Sequence, residues 1–359
     1  MINITKPFLP PIEEYNILLQ QIWDRNWLSN NGPIVKELEI KLIQYLGTDN
    51  LLYTTNGTIA LQIAIKALSL KGEIITTPFS YVATTSSIVW ENCKPVFVDI
   101  DKNSFNINPQ LIEAAITKKT TAILATHVYG NPCDIDLIDK IAKKYKLKVI
   151  YDAAHCFGSK YKGESVLNFG DISTISFHAT KIFHTTEGGA VISKNKDLVQ
   201  KMNLLRNFGH NGPEAFKGVG INGKNSEFHA AMGLVNLKYA DHILNKRKAD
   251  HLIYDDLLSK LKLKKPLINK LSTYNYSYYP VLFKNEKDCL DVFSILEKNK
   301  IFARRYFFPT LSSLDYVTSP NMPVAEDISK RILCLPLYEQ INIKEIESIC
   351  KIILETLKQ

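Results

Sequence analysis

The chain has 359 residues, enough for one large α/β domain and a smaller second one. At 45% hydrophobic, 22% charged and 10% aromatic it has the composition of a folded soluble protein and not of a disordered or fibrous one. The net charge of +8 comes from scattered lysines, densest in KLKLKK (260–265), with no interleaved aromatics. Solvated helix faces account for that pattern, and nucleic acid is not an expected partner.

In chain order, the first informative stretch is LLYTTNGTIALQIAIKAL, residues 51–68. A short strand leads into Thr54-Thr55-Asn56-Gly57-Thr58, and apolar residues follow at helical spacing. Glycine and hydroxyl residues at a helix start leave backbone N–H groups free beside the positive end of the dipole, which makes a phosphate cradle. The same residues also suit an ordinary helix cap. No Gly-Lys-Ser/Thr follows, so this is not a P-loop. Further strands are expected in IITTP (74–78), PVFVDI (95–100), TAILATHVYG (121–130), LKVIYD (147–152), ISTISF (172–177) and GAVIS (189–193). Their alternation with helical patterns predicts a mainly parallel sheet flanked by helices, in which ligands bind beyond the carboxyl ends of strands.

Two such ends carry chemistry. The apolar strand Leu147 to Tyr151 runs directly into Asp152. A carboxylate there needs a cationic partner, because an unpaired buried one costs several kcal/mol. The protonated ring nitrogen of pyridoxal phosphate is one such partner, and a short helix capped through Ala153 and Ala154 is the other role open to Asp152. In DISTISFHATKIF (171–183) a β-branched strand ends in a polar turn, and Lys181 is the lone lysine just past it. Partial desolvation lowers an ammonium pKa and makes the free amine available for a Schiff base.

Farther along, GVGING (218–223) matches G-x-G-x-x-G but follows a polar loop and no βαβ unit, so it is read as a tightly bending loop ahead of a helix Glu227 to Leu237. A long, broken amphipathic helix from Asn225 to about Lys260 leads to a second unit containing YSYYPVLF (276–283), DVFSILEKNKI (291–301) and IKEIESICKIILETL (343–357). The expected domains are 1–240 and 241–359, with the N-terminal segment packing on the smaller one. The six cysteines are dispersed, without a C-x-x-C pair or metal-ligand spacing, which points to a reducing cytosol and to no metal. Cys156 beside His155 reads as a small buried filler. MINITKPFLPP has no signal-peptide pattern and no run is long enough to span a membrane, so a cytoplasmic location is expected.

TNGTIAL, TPFSYVAT (77–84), HVYGNPCDID (127–136), YDAAHCFG, SFHATK, EGGAVIS and GINGKNSEFHAAMG (220–233) stand together in an order and spacing that resemble the DegT/DnrJ/EryC1/StrS family of pyridoxal-phosphate-dependent sugar aminotransferases. The likeness covers essentially the whole chain. It implies the aspartate-aminotransferase-like fold (PLP fold type I), an α/β architecture whose large domain holds a seven-stranded sheet beside a smaller α+β domain. Carried over, Lys181 looks like the lysine that bears the cofactor and shuttles the proton, and Asp152 the partner of the ring nitrogen. His155 occupies the position from which the family's Gln or His contacts the cofactor's 3′-oxygen, a capping histidine being the other role open to it. Gly57, Thr58 and Ser176 would hold the phosphate, and Tyr81 falls where an aromatic ring stacks on the cofactor, with core packing as the alternative. Asn222 matches an asparagine that reaches the phosphate of the neighbouring subunit, which implies a homodimer with shared sites.

For the substrate, the resemblance suggests Trp27 and Asn30 of WLSNNGP (27–33), His184, Arg206, and Arg304, Arg305 and Tyr306 of ARRYFFP. Salt bridges explain the arginines as well, and no role is fixed for His184. Relatives that remove a hydroxyl have histidine in place of Lys181, so the lysine favours amination. The sequence looks closest to the branch that aminates dTDP-4-keto-6-deoxyglucose at C4 with L-glutamate, through the pyridoxamine phosphate form, for surface polysaccharide synthesis. The alternatives are a 3-keto or UDP-linked sugar, or a silent nucleotide-sugar-binding relative. A mildly positive field suits a dianionic nucleotide-sugar.

Overall fold

A computed structural model describes residues 1–358. The chain opens with helices α1 (Ile12–Arg25) and α2 (Pro33–Leu46), then β1 (Leu51–Thr54), α3 (Gly57–Ala67), β2 (Gly72–Thr76), α4 (Val82–Trp90), β3 (Cys93–Phe97), α5 (Ile112–Ala115), β4 (Thr120–Thr126), α6 (Ile135–Tyr145) and β5 (Lys148–Asp152). Next come the short β6 (Lys160–Tyr161) and β7 (Glu164–Ser165), then β8 (Ile172–Ser176), β9 (Gly189–Ile192), α7 (Lys196–Leu205), α8 (Glu227–Leu237) and α9 (Ala240–Leu258). The last part holds β10 (Ser272–Thr273), β11 (Tyr279–Leu282), α10 (Glu286–Lys298), α11 (Pro323–Arg331), β12 (Ile332–Leu335) and α12 (Ile343–Thr356).

Seven strands form one sheet in the order β1-β9-β8-β5-β4-β2-β3. The pairs β3–β2, β2–β4, β4–β5 and β5–β8 are parallel. β9 runs antiparallel to both its neighbours, so β1 points the same way as β8. The central strands are buried along most of their length because helices cover both faces, which is why they do not read as alternating apolar and polar residues. One consequence positions everything that follows: β1, β2, β4, β5 and β8 all end on the same edge of the sheet.

The expected long helix is broken at Lys238–Tyr239 into α8 and α9. α9 packs Ile243 into the core of the sheet, and its far end puts Tyr254 and Leu258 into a second core with the β11–β12 pair, α10 and α12. The N-terminal segment is stitched to both. Ile2 pairs with Ile301 as a parallel bridge, and Leu337 N–H donates to the Ile4 carbonyl at 3.2 Å. Thr5 Oγ1 then reaches the Thr180 carbonyl at 3.5 Å. The three-stranded sheet β10-β6-β7 was not anticipated, since two-residue strands carry no periodicity to read.

Candidate active site

The phosphate-cradle segment and the Lys181 segment meet because β9 lies between β1 and β8. Gly189 at the start of β9 is paired with Thr54 on one side and Ser176 on the other. A side chain at Gly189 would come within 2.5 Å of the Asn56 backbone, so the Gly188-Gly189 turn allows the start of α3 to sit close on the strand ends. Asn56 is the helix cap, its Oδ1 accepting from Ile59 N–H at 2.8 Å. With that acceptor used on Ile59, the N–H groups of Gly57 and Thr58 have no protein partner among the described residues. A Cβ on Gly57 would stand 3.1 Å from that of Ser176, which puts the serine directly beside the free N–H groups.

Asp152 ends β5, next to β8. No helix follows it, which excludes the helix-cap role; Oδ1 instead accepts from Ala154 N–H at 3.1 Å within a turn. Oδ2 accepts from Thr84 Oγ1 at 2.7 Å, and Thr84 is linked through Ser80 to Thr126, a buried hydroxyl chain that fixes the carboxylate. Burial pushes the Asp152 pKa up, against the pull of Thr84, the Ala154 N–H and the more distant Lys181. Among the described residues no cation lies within ion-pair distance of it. His155 is buried, stacked on Phe307 with centroids 6.0 Å apart, and its Nδ1 has no partner. Burial drives its pKa well down and Lys181 adds to that, so the ring is neutral. It too caps no helix.

Lys181 follows β8 through a turn closed by its N–H on the His178 carbonyl at 2.9 Å. On this partly buried side chain the ammonium is pushed down to about 8 by desolvation, with Asp152 and Tyr81 acting in the opposite direction. It lines a cavity of about 10 Å³ with His155, Ser176, Thr180, Ser277 and Tyr278. Tyr81 stands at the start of α4 and is 56% exposed, which excludes core packing. A larger cavity, about 670 Å³, lies between α9 and residues 265–276 and includes neither Lys181 nor Asp152. Its one carboxylate, Asp255, is paired with Lys265 and His251.

Several expected substrate contacts are corrected. Arg206 is buried: its guanidinium pairs with Glu39 at 2.6 Å and donates to the Tyr53 carbonyl at 2.7 Å and to Asn203. Four of its five donors are occupied, and the two on Glu39 and the Tyr53 carbonyl hold the end of α7 against α2 and β1. Arg206→Ala is therefore expected to lower stability by about 3 kcal/mol, by stranding the Glu39 charge, without changing nucleotide-sugar affinity; thermal melts and titration calorimetry check both halves. His184 is buried, donating from Nε2 to the Phe8 carbonyl at 2.7 Å and accepting at Nδ1 from Thr186 N–H, so it anchors the N-terminal segment. Arg305 lies over Phe308 and bonds Glu286 and the Lys330 carbonyl, facing α10 and α11. Arg304 is exposed above the Tyr306 ring.

Others remain available. Trp27 and Asn30 lie exposed on the loop between α1 and α2, which the Glu227 N–H holds through the Leu28 carbonyl at 3.0 Å; nothing within the chain brings them to Lys181. Asn222 is exposed in a loop tied to α7 and to Thr55 by its neighbours Ile221 and Gly223, and its side chain has no partner among the described residues. Tyr306 lines a cavity beside Thr180 and Tyr278. The sequence reading missed Thr84, Ser277, Tyr278, Phe307 and Arg247. For Arg247 a signal existed: it is a charge within the apolar stripe of α9, at the position after Ile243 and before Tyr254.

The set fits pyridoxal phosphate. Asp152 is a buried carboxylate lacking a cation, the paired free N–H groups and Ser176 form an anion cradle, and Lys181 lies beside them. β5 and β1 are three strand spacings apart, ~14 Å, which suits a ring nitrogen at one end and a phosphate at the other.

The model of the DegT/DnrJ/EryC1/StrS aminotransferase family matches residues 12–354. A Shigella dysenteriae protein named dTDP-4-amino-4,6-dideoxy-D-glucose transaminase is 42% identical over 99% of this chain and 98% of its own. An Escherichia coli O157:H7 GDP-perosamine synthase is 31% identical over 92% of each chain. Among solved structures, DesI in the presence of its TDP-sugar product superposes with a TM-score of 0.93 at 30% identity, covering 99% of this chain and 93% of that one.

Proposed function

The chain belongs to the DegT/DnrJ/EryC1/StrS aminotransferase family, and from that membership we propose that it moves an amino group from L-glutamate to C4 of dTDP-4-keto-6-deoxyglucose, giving dTDP-4-amino-4,6-dideoxyglucose. It is a nucleotide-sugar aminotransferase whose cofactor is pyridoxal phosphate, used in alternation with pyridoxamine phosphate. The observation that carries the reaction is Lys181, which lines one cavity with His155 and Ser176 and whose ammonium is pushed down to about 8. The sugar assignment rests on the 42% identity across nearly the whole chain.

When bound, the cofactor supplies the electron sink and amine relay of transamination. The protein's own groups do the rest. Lys181 would hold the cofactor and move the proton at the substrate carbon. Asp152, kept in place by Thr84, would pair with the ring nitrogen and favour its protonated form. Gly57, Thr58 and Ser176 would bind the phosphate at the start of α3. Neutral His155, whose Nδ1 has no partner among the described residues, and the exposed Tyr81 would help to hold the ring. Incubation with L-glutamate and each of the 4-keto dTDP, 3-keto dTDP and UDP-linked keto sugars, read by mass spectrometry, tests the assignment. Preference for either other sugar overturns it.

Rebuilding of holoenzyme from cofactor-free protein is expected to depend on pH through Lys181. Below about 8 the ammonium prevails and attack is slow; above it the free amine prevails, so the rate rises with a midpoint near 8 instead of near 10.5. Stopped-flow absorbance at several pH values reads this directly.

The reaction belongs in the cytoplasm, where its nucleotide-sugar product supplies surface polysaccharide such as O-antigen. No described helix is long and apolar enough to cross a membrane. We take the active form as a homodimer in which exposed Asn222 of each copy reaches the phosphate held by the other. Mixing Lys181→Ala and Asn222→Ala subunits then regenerates one intact site per heterodimer, about a quarter of wild-type activity at equal amounts. No recovery after demonstrated subunit exchange would rule this out.

A further inference from the structure

Arg247 has no ion-pair partner among the described residues; Asp250 acts on it only from a distance. On α9 it occupies the buried stripe with Ile243, Tyr254 and Leu258, and only 3% of its surface is exposed. A guanidinium costs several kcal/mol to bury unless it is paired. Its one hydrogen bond among the described residues runs from Nη1 to the Ser277 carbonyl at 3.0 Å, and its Nε has no partner among them. Among the described residues no carboxylate lies within 4.0 Å, because neighbouring Asp250 is gripped by Lys246 at 2.5 and 2.6 Å. A buried arginine with an open edge is a binding group awaiting an anion.

The location says which anion. Arg247 lines a cavity of about 10 Å³ with Thr5, Thr180, Ser277, Tyr278 and Tyr306. Thr180, Ser277 and Tyr278 also line the Lys181 cavity, so the two spaces share a wall. Its volume holds about one water, so one carboxylate oxygen can take that water's place. A diphosphate carrying a nucleoside cannot be enclosed there, with Ile4, Leu335 and Leu337 closing the other sides. The planar, two-oxygen shape of a carboxylate also matches the guanidinium fork, whereas an ammonium at this position would offer only a point charge.

We propose that Arg247 is the carboxylate anchor for the amino donor: a carboxylate of L-glutamate binds the open guanidinium edge while its amino group faces the Lys181 cavity. This rests on the transaminase reading above. The two substrates then use different walls of one site, and Arg247 is a binding residue for the donor alone.

The test compares wild-type holoenzyme with Arg247→Met and Arg247→Lys in three measurements. The first is bleaching of the cofactor absorbance by L-glutamate. The second is the same bleaching by the dTDP-amino sugar, the reverse of the other half-reaction. The third is calorimetric binding of succinate, a dicarboxylate that cannot react. In Arg247→Met the glutamate concentration for half-maximal bleaching is expected to rise about 100-fold and succinate binding to vanish, with the amino-sugar half-reaction within threefold of wild type. Arg247→Lys, which keeps the charge but loses the fork, should fall between, and it decides the matter if the methionine variant does not fold. Equal losses in both half-reactions would mark Arg247 as a structural strut and overturn the proposal, as would unchanged glutamate and succinate binding in Arg247→Lys. If wild-type protein bleaches with neither amine, the transaminase reading fails instead, and succinate binding still reports on Arg247.

Discussion

Replacing Lys181 with alanine is expected to cut turnover by at least about 10³-fold while leaving the fold intact. The side chain makes no hydrogen bond or ion pair among the described residues, and desolvation outweighs the pull of Asp152 and Tyr81 on its charge, so no strong contact is lost. Covalent attachment of the cofactor and proton transfer at the substrate carbon depend on the same nitrogen, so the variant loses both together. Borohydride reduction followed by mass spectrometry should find no lysine-linked cofactor, while circular dichroism and the melting temperature stay at wild-type values. Near-normal turnover in this variant would end the assignment of Lys181.

Asp152→Asn should separate catalysis from folding in the other direction. The pKa of Asp152 is raised on folding, so the protonated form is the one folding favours. Any stability this group adds is present only in acid and is lost as the pH rises through the raised value. At pH 7 the ionised carboxylate is a burden on the cofactor-free protein, carried for the sake of the ring nitrogen. The asparagine variant is therefore expected to melt at the same or a higher temperature without cofactor, to gain less from adding it, and to turn over on the order of 10³-fold more slowly. A variant with wild-type rates would leave Asp152 only its turn-closing bond to Ala154.

Lys181, Asp152, Gly57 and Ser176 were legible because each sits where a strand or helix signal changes phase, and parallel-sheet geometry brings such ends to one edge. The two arginines show where legibility stops. For Arg206 the sequence leaves a substrate contact and a salt bridge open, because its partner Glu39 lies 167 positions earlier and nothing local announces the pairing. For Arg247 the apolar stripe of α9 announces burial, but nothing local says that Ser277 is what it meets there. His184 is a similar case: its acceptor is a backbone carbonyl 176 residues away. Chemistry supplied by local geometry can be read from order and spacing, whereas the fate of a polar group that closes a long loop cannot.

The stitched N-terminal segment has a consequence during synthesis. Ile2 and Ile4 leave the ribosome long before the groups they pair with, Lys300, Phe302 and Leu337. Until those partners emerge the two residues wait unpaired, while the sheet and its Lys181 turn assemble behind them. The wall formed by Ile4, Thr5, Leu335 and Leu337 closes only after residue 337 has emerged. A nascent chain halted shortly before residue 337 would carry the sheet and its lysine but leave that side open to water.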